Sequence, residues 1–203
     1  MFSGANLAVP FVVPREIPGM IPLLGAVCCF AVVQACIFAF FVTLLIAEFG
    51  FSLTVAGAAF AAMQVTGVFS RVIMGWLADR LGCVRALLLL AAASAIMAFV
   101  LSRVGPDWPT WLVMGVGVFI GLTCISWNGI YLAEVARMAP PGRVGEATSG
   151  AVFWVFASFS LAPFLFTTGV TLIGSYSPCF VVVAGVQTLA IPPLLLINRN
   201  RQK

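Results

Sequence analysis

The chain has 203 residues, 63% of them hydrophobic and 8% charged, with a net charge of +4 and no histidine. Soluble domains average about 25% charged residues, so this composition belongs to an integral membrane protein. The positive charge is too small and too dispersed for nucleic acid, and the lipid bilayer, with anionic headgroups at one face, is its natural partner. Of the six cysteines, Cys28, Cys29, Cys36, Cys124 and Cys179 stand in apolar runs and read as small apolar residues. With no His, no C-x-x-C and no Walker loop, the sequence offers no metal set, no cofactor and no ATP drive. There is no Ser/His/Asp set either, so it does not read as an enzyme.

Residues 1–20 lack a basic start, and Pro10, Pro14 and Pro18 interrupt any signal-peptide core. They read as an irregular cytoplasmic leader, or as the remnant of a central loop in a longer protein. Beyond them, charge-free runs of about 20 apolar residues mark membrane helices. Six spans follow, at about 21–47, 53–78, 84–101, 109–133, 147–173 and 178–197. Glu48-Phe-Gly50 ends the first. Gly105-Pro106-Asp107 is a turn before the fourth. Pro163 lies near the middle of the fifth and suggests a kink. The fifth and sixth are separated at Gly174-Ser-Tyr-Ser-Pro178, whose turn residues do not continue a helix comfortably.

Orientation follows from the basic residues. With the N-terminus inside, Arg15, Arg80, Arg85, Arg137, Arg143, Arg199, Arg201 and Lys203 are cytoplasmic, and only Arg103 is outside. Trp108, Trp111 and Tyr176 then fall near the outer interface, and Trp76 and Tyr131 near the inner one. The expected location is a plasma (bacterial inner) membrane, with both termini cytoplasmic.

The stretch 71–85 reads RVIMGWLADRLGCVR and joins spans two and three. It concentrates Arg71, Asp79, Arg80 and Arg85. Gly75, Leu77, Asp79, Arg80 and Gly82 keep the spacing G-x-L-x-D-R-x-G. An acid and a base framed by glycines between two apolar helices make a tight charged hairpin at a membrane surface. The stretch resembles the signature loop of the major facilitator superfamily, between the second and third helices of each six-helix half. Cys83 and Val84 stand where that family usually has two basic residues, and the base is delayed to Arg85. The resemblance implies an all-α membrane fold, six transmembrane helices forming half of a facilitator, built as a 3+3 inverted repeat. The degenerate loop, the linker 131–150 and the short basic tail resemble the C-terminal half. The resemblance covers about residues 21–200 and leaves the first six family helices without a counterpart.

Asp79 and Arg80 with Glu134 and Arg137 read as a cytoplasmic charge cluster. It would act as a gate latch or as a static tether. Glu134 and Arg137 are an i,i+3 pair. Arg71 lies eight residues before Asp79, about 12 Å deeper along a helix. A cation there costs several kcal/mol unless it is paired or faces a cavity. A carboxylate substrate would supply the partner; alternatively Arg71 snorkels to the surface or joins the Asp79 cluster. Its placement resembles a basic residue in the eighth helix of some monocarboxylate and oxalate-type facilitators. Gln34, Thr123, Ser126, Trp127 and Asn128 are the other mid-membrane candidates, with Trp154 weaker. In the family the equivalent helices line the cavity, although interhelical hydrogen bonds would use the same residues. Gly117-Val-Phe-Ile-Gly121 is a G-x-x-x-G, read as packing within the chain.

The expected function is secondary transport of a small solute, an organic anion among the candidates, by alternating access. Only one half is present, so a homodimer or a partner half would be needed. The alternative is a truncated membrane fragment that inserts without transporting. A six-helix channel or sensor of another family would require the signature match to be chance.

Overall fold

Apolar helices dictate the architecture, because a backbone that crosses lipid must bond to itself. The computed structural model describes residues 4–200, with side chains from residue 9 onward. Arg201 and Lys203 of the expected basic tail lie outside the described residues. Helix α1 (Gly4–Glu16) precedes α2 (Met20–Ala47), α3 (Leu53–Leu81) and α4 (Cys83–Leu101). The fourth pass is split into α5 (Thr110–Cys124) and α6 (Trp127–Met138). The fifth is α7 (Val144–Ile173), unbroken through Pro163. The sixth is split into α8 (Tyr176–Thr188) and α9 (Ile191–Asn200). Six of these passes are long and apolar enough to cross a membrane. Among the described residues there is no strand.

One expectation from sequence is corrected. The leader is not irregular, because α1 is a helix despite Pro10 and Pro14. Pro14 has no N–H to give the Pro10 carbonyl. The Trp154 indole Nε1–H donates to that carbonyl instead, at 2.8 Å. Phe11 packs edge-on against both Phe153 and Trp154, and Val13 and Ile17 are buried in the core. Tertiary contact therefore outweighs the local proline penalty. Tyr131, expected near the inner interface, is buried within the bundle against Trp127.

Helix partners follow the repeat that the family resemblance implies. Pass two packs on pass four, and pass one on pass five. Pass three packs on pass four, and pass one on pass six, while passes three and six meet each other. Exchanging passes one to three for four to six returns the same set of pairs. Both helix breaks lie in the second repeat. The passes alternate in direction, so Arg80, Arg85, Arg137, Arg143 and Arg199 share one end of the bundle. Glu48, Arg103 and Asp107 share the other.

The G-x-x-x-G motif lies inside this packing. A Cβ on Gly117 would stand 2.7 Å from the Ala59 carbonyl oxygen, and one on Gly121 would overlap the Met63 carbonyl. Two helix backbones touch there, which only glycine permits. At the less basic end, α2 is tied to α8 by one side chain. The Glu48 carboxylate accepts from Ser175 Oγ at 2.7 Å, Ser177 N at 3.1 Å, Ser177 Oγ and Tyr176 N. It caps the α8 N-terminus from another helix, where the dipole favours negative charge. Burial pushes this carboxyl up, but the bonds from Ser177, Ser175 and the two backbone N–H groups outweigh it. Glu48 therefore titrates below its ordinary value.

Gly121→Val is expected to cost at least about 2 kcal/mol, since overpacking here strikes backbone rather than a side chain. Reduced monodisperse yield and an earlier thermal midpoint in detergent would show it. Glu48→Gln is expected to destabilise by about 1–2 kcal/mol at neutral pH, the scale of a lost cap. Because the folded carboxyl is lowered, its contribution is full above the unfolded value and is lost as pH falls through the folded one. The difference between wild type and variant should therefore vanish in acid, as thermal melts over a pH series would report.

Candidate functional site

Polar side chains and irregular backbone meet in the fourth pass. The helical ladder lapses at Ile125 and Ser126, between α5 and α6. In lipid the carbonyls released there need new donors. Ser126 Oγ donates to Leu122 O at 2.6 Å, and Ser70 Oγ of α3 donates to Gly121 O at 3.2 Å. Within α5, Thr123 Oγ1 also donates to Phe119 O at 2.8 Å. Hydroxyls that bond back onto their own helix bend it. The chain thus turns at mid-membrane without leaving these carbonyls bare.

Below the break, α6 presents two faces. On one, Trp127 is 1% exposed and its Nε1–H donates to Gln34 Oε1 of α2 at 3.0 Å. Asn128 Nδ2 donates to the same oxygen at 3.3 Å. Phe30 stacks on Trp127 with ring centroids 5.5 Å apart. Gln34, Trp127 and Asn128 are therefore brought together as an interhelical clasp. Gln34 and Trp127 are buried in this clasp.

The other face of α6 borders a cavity of about 160 Å³. Arg71, Gly75 and Asp79 line it from α3, spaced i, i+4, i+8. Ser126 lines it from the break, and Gly129 and Ala133 from α6. Small residues on both helices leave the space, with Arg71 toward mid-membrane and Asp79 toward the basic end. The Ser126 proton is engaged by Leu122 O, so its hydroxyl offers lone pairs. Arg71 is the cation of this cavity.

The signature loop closes in a single residue. Gly82 alone separates α3 from α4, at φ 90° and ψ 144°, a region essentially restricted to glycine. Its N–H donates to Ala78 O at 2.8 Å. Leu77 is half-buried and Arg85 is exposed in the first turn of α4.

Three members of the expected charge cluster, Asp79, Arg80 and Arg137, are exposed at the basic end. Arg80 lies over the Trp76 ring at 4.3 Å, on the outside of α3. Arg137 is exposed, whereas Glu134 is 0% exposed. Among the described residues, Asp79, Arg80 and Arg137 form no ion pair with one another. The ion pairs at this end lie elsewhere. Arg143 bridges Glu16 of α1 and Glu146 of α7, each at 2.8 Å. These two acids hold the Arg143 guanidinium above its ordinary value. Sequence reasoning missed this bridge because Glu16 sat in the supposed irregular leader. It missed the break as well, although the polar cluster Thr123, Ser126, Asn128 and Gly129 was the available signal.

Comparison with known proteins bears on the family. A family model described as Major Facilitator Superfamily matches residues 23–203. Two relatives, both named "Probable nitrate/nitrite transporter NarK2", come from Mycobacterium tuberculosis strains CDC 1551 / Oshkosh and ATCC 25618 / H37Rv. Each is 32% identical over 102 residues, which is 49% of this chain and 25% of the relative. The match thus spans a quarter of those proteins' length.

Gln34→Leu would leave the buried Trp127 donor unsatisfied. We expect a loss of about 0.6–2 kcal/mol, between typical membrane hydrogen bonds and the cost of an orphaned buried donor. A double-mutant cycle with Trp127→Phe should show clear coupling between the two sites. Strictly additive losses would mean that the clasp contributes nothing.

Proposed function

The chain belongs to the major facilitator superfamily, and from that premise we propose that it is the C-terminal half of a secondary transporter that moves a small anion by alternating access. The observation that carries this reading is Arg71. It is exposed on an otherwise apolar stretch of α3, about 12 Å along the helix from Asp79. A cation at that depth costs several kcal/mol in hydrocarbon unless it meets water or an anion. Among the described residues it forms no ion pair. A guanidinium offers a planar fork of donors suited to a planar oxyanion. The relatives are named for nitrate and nitrite, which have that shape, and a small carboxylate shares it.

A second half follows from the same residue. Passes two and five are the least buried of the six, and they exchange under the repeat. The exposed face of α3 carries Gln64 as well as Arg71. Lipid tails could satisfy neither, whereas a facing half would enclose both around a wet cavity. That half is a second copy of this chain or a separate six-helix partner. The basic end faces the cytoplasm, by the asymmetry of Arg and Lys. Asp79, Arg80, Glu134 and Arg137 act as the gate at that end. The ion pairs between Asp79 and the arginines would form in the alternative state of the cycle.

The test is flux. The chain is reconstituted into liposomes alone and with a complementary half. Uptake of nitrate, nitrite and small carboxylates is then measured. One of these should move in at least one condition. Arg71→Gln should lower that flux about tenfold or more, the scale of one charge-assisted hydrogen bond. Arg71→Lys should retain part of it. Absence of flux in every condition overturns the reading and leaves a membrane fragment that inserts without transporting. Light scattering in mild detergent would show whether two copies supply both halves.

A further inference from the structure

Away from the Arg71 cavity, a second cleft lies where α1 crosses the beginnings of α2 and α7. It encloses about 360 Å³. Ile21, Leu24, Gly25 and Cys28 of α2 form its floor. Their spacing of i, i+3, i+4, i+7 makes one stripe about 10 Å long. Phe11 and Trp154 form a wall. Cys28 Sγ donates to Trp154 O at 3.7 Å, which marks the deep end. Arg15 lines the other end, beside the turn from α1 into α2. The cleft therefore runs from a cation near the membrane surface to apolar walls about a third of the way across the hydrocarbon.

Arg15 is not engaged by its acidic neighbour. Glu16 is held by Arg143 at 2.8 Å, and among the described residues Arg15 forms no ion pair. The space beside it exists because residue 25 has no side chain. A Cβ built on Gly25 would meet nothing within 4 Å.

We propose that this cleft binds one phospholipid with an anionic headgroup. The phosphate and headgroup sit at Arg15, and the upper part of one acyl chain lies along the α2 stripe. Charge complementarity at the mouth selects an anionic lipid over a zwitterionic one. The apolar floor excludes a water-soluble anion from the depth of the cleft. Arg85, exposed at the same end, raises the local concentration of anionic headgroups. A lipid seated there touches both α1 and Trp154. It would brace the leader helix against α7 where the Trp154–Pro10 bond already holds it.

Native mass spectrometry of the full chain, released from bilayers of equal phosphatidylglycerol and phosphatidylcholine, tests the assignment. Wild type should retain one tightly held phospholipid, with phosphatidylglycerol favoured about tenfold, as one charge-assisted contact predicts. Arg15→Gln should keep a lipid but lose the preference. Gly25→Leu should fill the groove and retain one phospholipid fewer of either kind. Arg103→Gln, at the opposite end, should match wild type. Helix content by circular dichroism confirms that each variant is folded. Absence of a phosphatidylglycerol preference in wild type overturns the proposal. So does its survival in Arg15→Gln, or undiminished retention in Gly25→Leu. The measurement involves no flux, so its outcome is independent of the transport reading.

Discussion

A backbone in lipid has no water to bond with, and the main irregularities among the described residues are arranged around that constraint. Helices meet it by default. Where a helix stops or lapses, a side chain takes over the missing bond. Glu48 supplies the acceptor that the first N–H groups of α8 need. Ser126 and Ser70 supply donors for carbonyls released at the break in the fourth pass. Trp154 supplies the donor that Pro14 withholds from Pro10. Each replacement joins elements distant in sequence, except for Ser126, which repairs its own helix. The bonds that satisfy the backbone therefore also fix the tertiary arrangement, where the hydrophobic effect discriminates little between helix and lipid contact.

The two repeats divide the work unequally. The first contributes unbroken passes, and its α3 carries the mid-membrane cation. The second contributes both broken passes. Its second break lies just after Gln187, a fully buried side chain whose amide has no hydrogen-bond partner among the described residues. Buried polar groups of this kind are uncommon and destabilising. Packing of α3 against α5 and α6 joins the two sorts of irregularity, with a charge on one side and a broken ladder on the other. The close backbone approach at Gly117 and Gly121 holds that junction above the cavity.

Much of this fold was legible in the sequence because the bilayer imposes one length scale. Runs of about 20 apolar residues have few other uses. The signature residues Gly75, Asp79, Arg80 and Gly82 carried the family because a one-residue hairpin leaves little chemical freedom. Helix ends were less legible. Charged residues such as Arg80, Arg137 and Arg199 continue a helix once it has left the hydrocarbon, so apolar runs understate its length. The α1 helix was hidden because its prolines are tolerated only through contacts with Phe153 and Trp154, more than 100 positions away in the chain. Among the site residues, polarity at mid-depth was easy to see, but its purpose was not. Gln34, Trp127 and Asn128 bond to one another, while Ser126 and Arg71 border the cavity. Composition cannot separate those groups, since both are polar residues in apolar helices.

Arg71 brings the constraint and the proposed function together. Its backbone is satisfied by α3, so its position is not required for folding. Its side chain gains nothing from lipid, and no acid pairs with it among the described residues. The opposite case is Glu48, a charge that four donors hold in place and that stabilises the bundle. A charge engaged on every side makes a good brace, because any other state would lose those bonds. A charge left facing a cavity makes a poor brace, but it can bind and release an anion without dismantling the fold. The contrast between these two residues, one held by four donors and one open to a cavity, is the physical basis for reading the first as structural and for proposing the second as the anion contact.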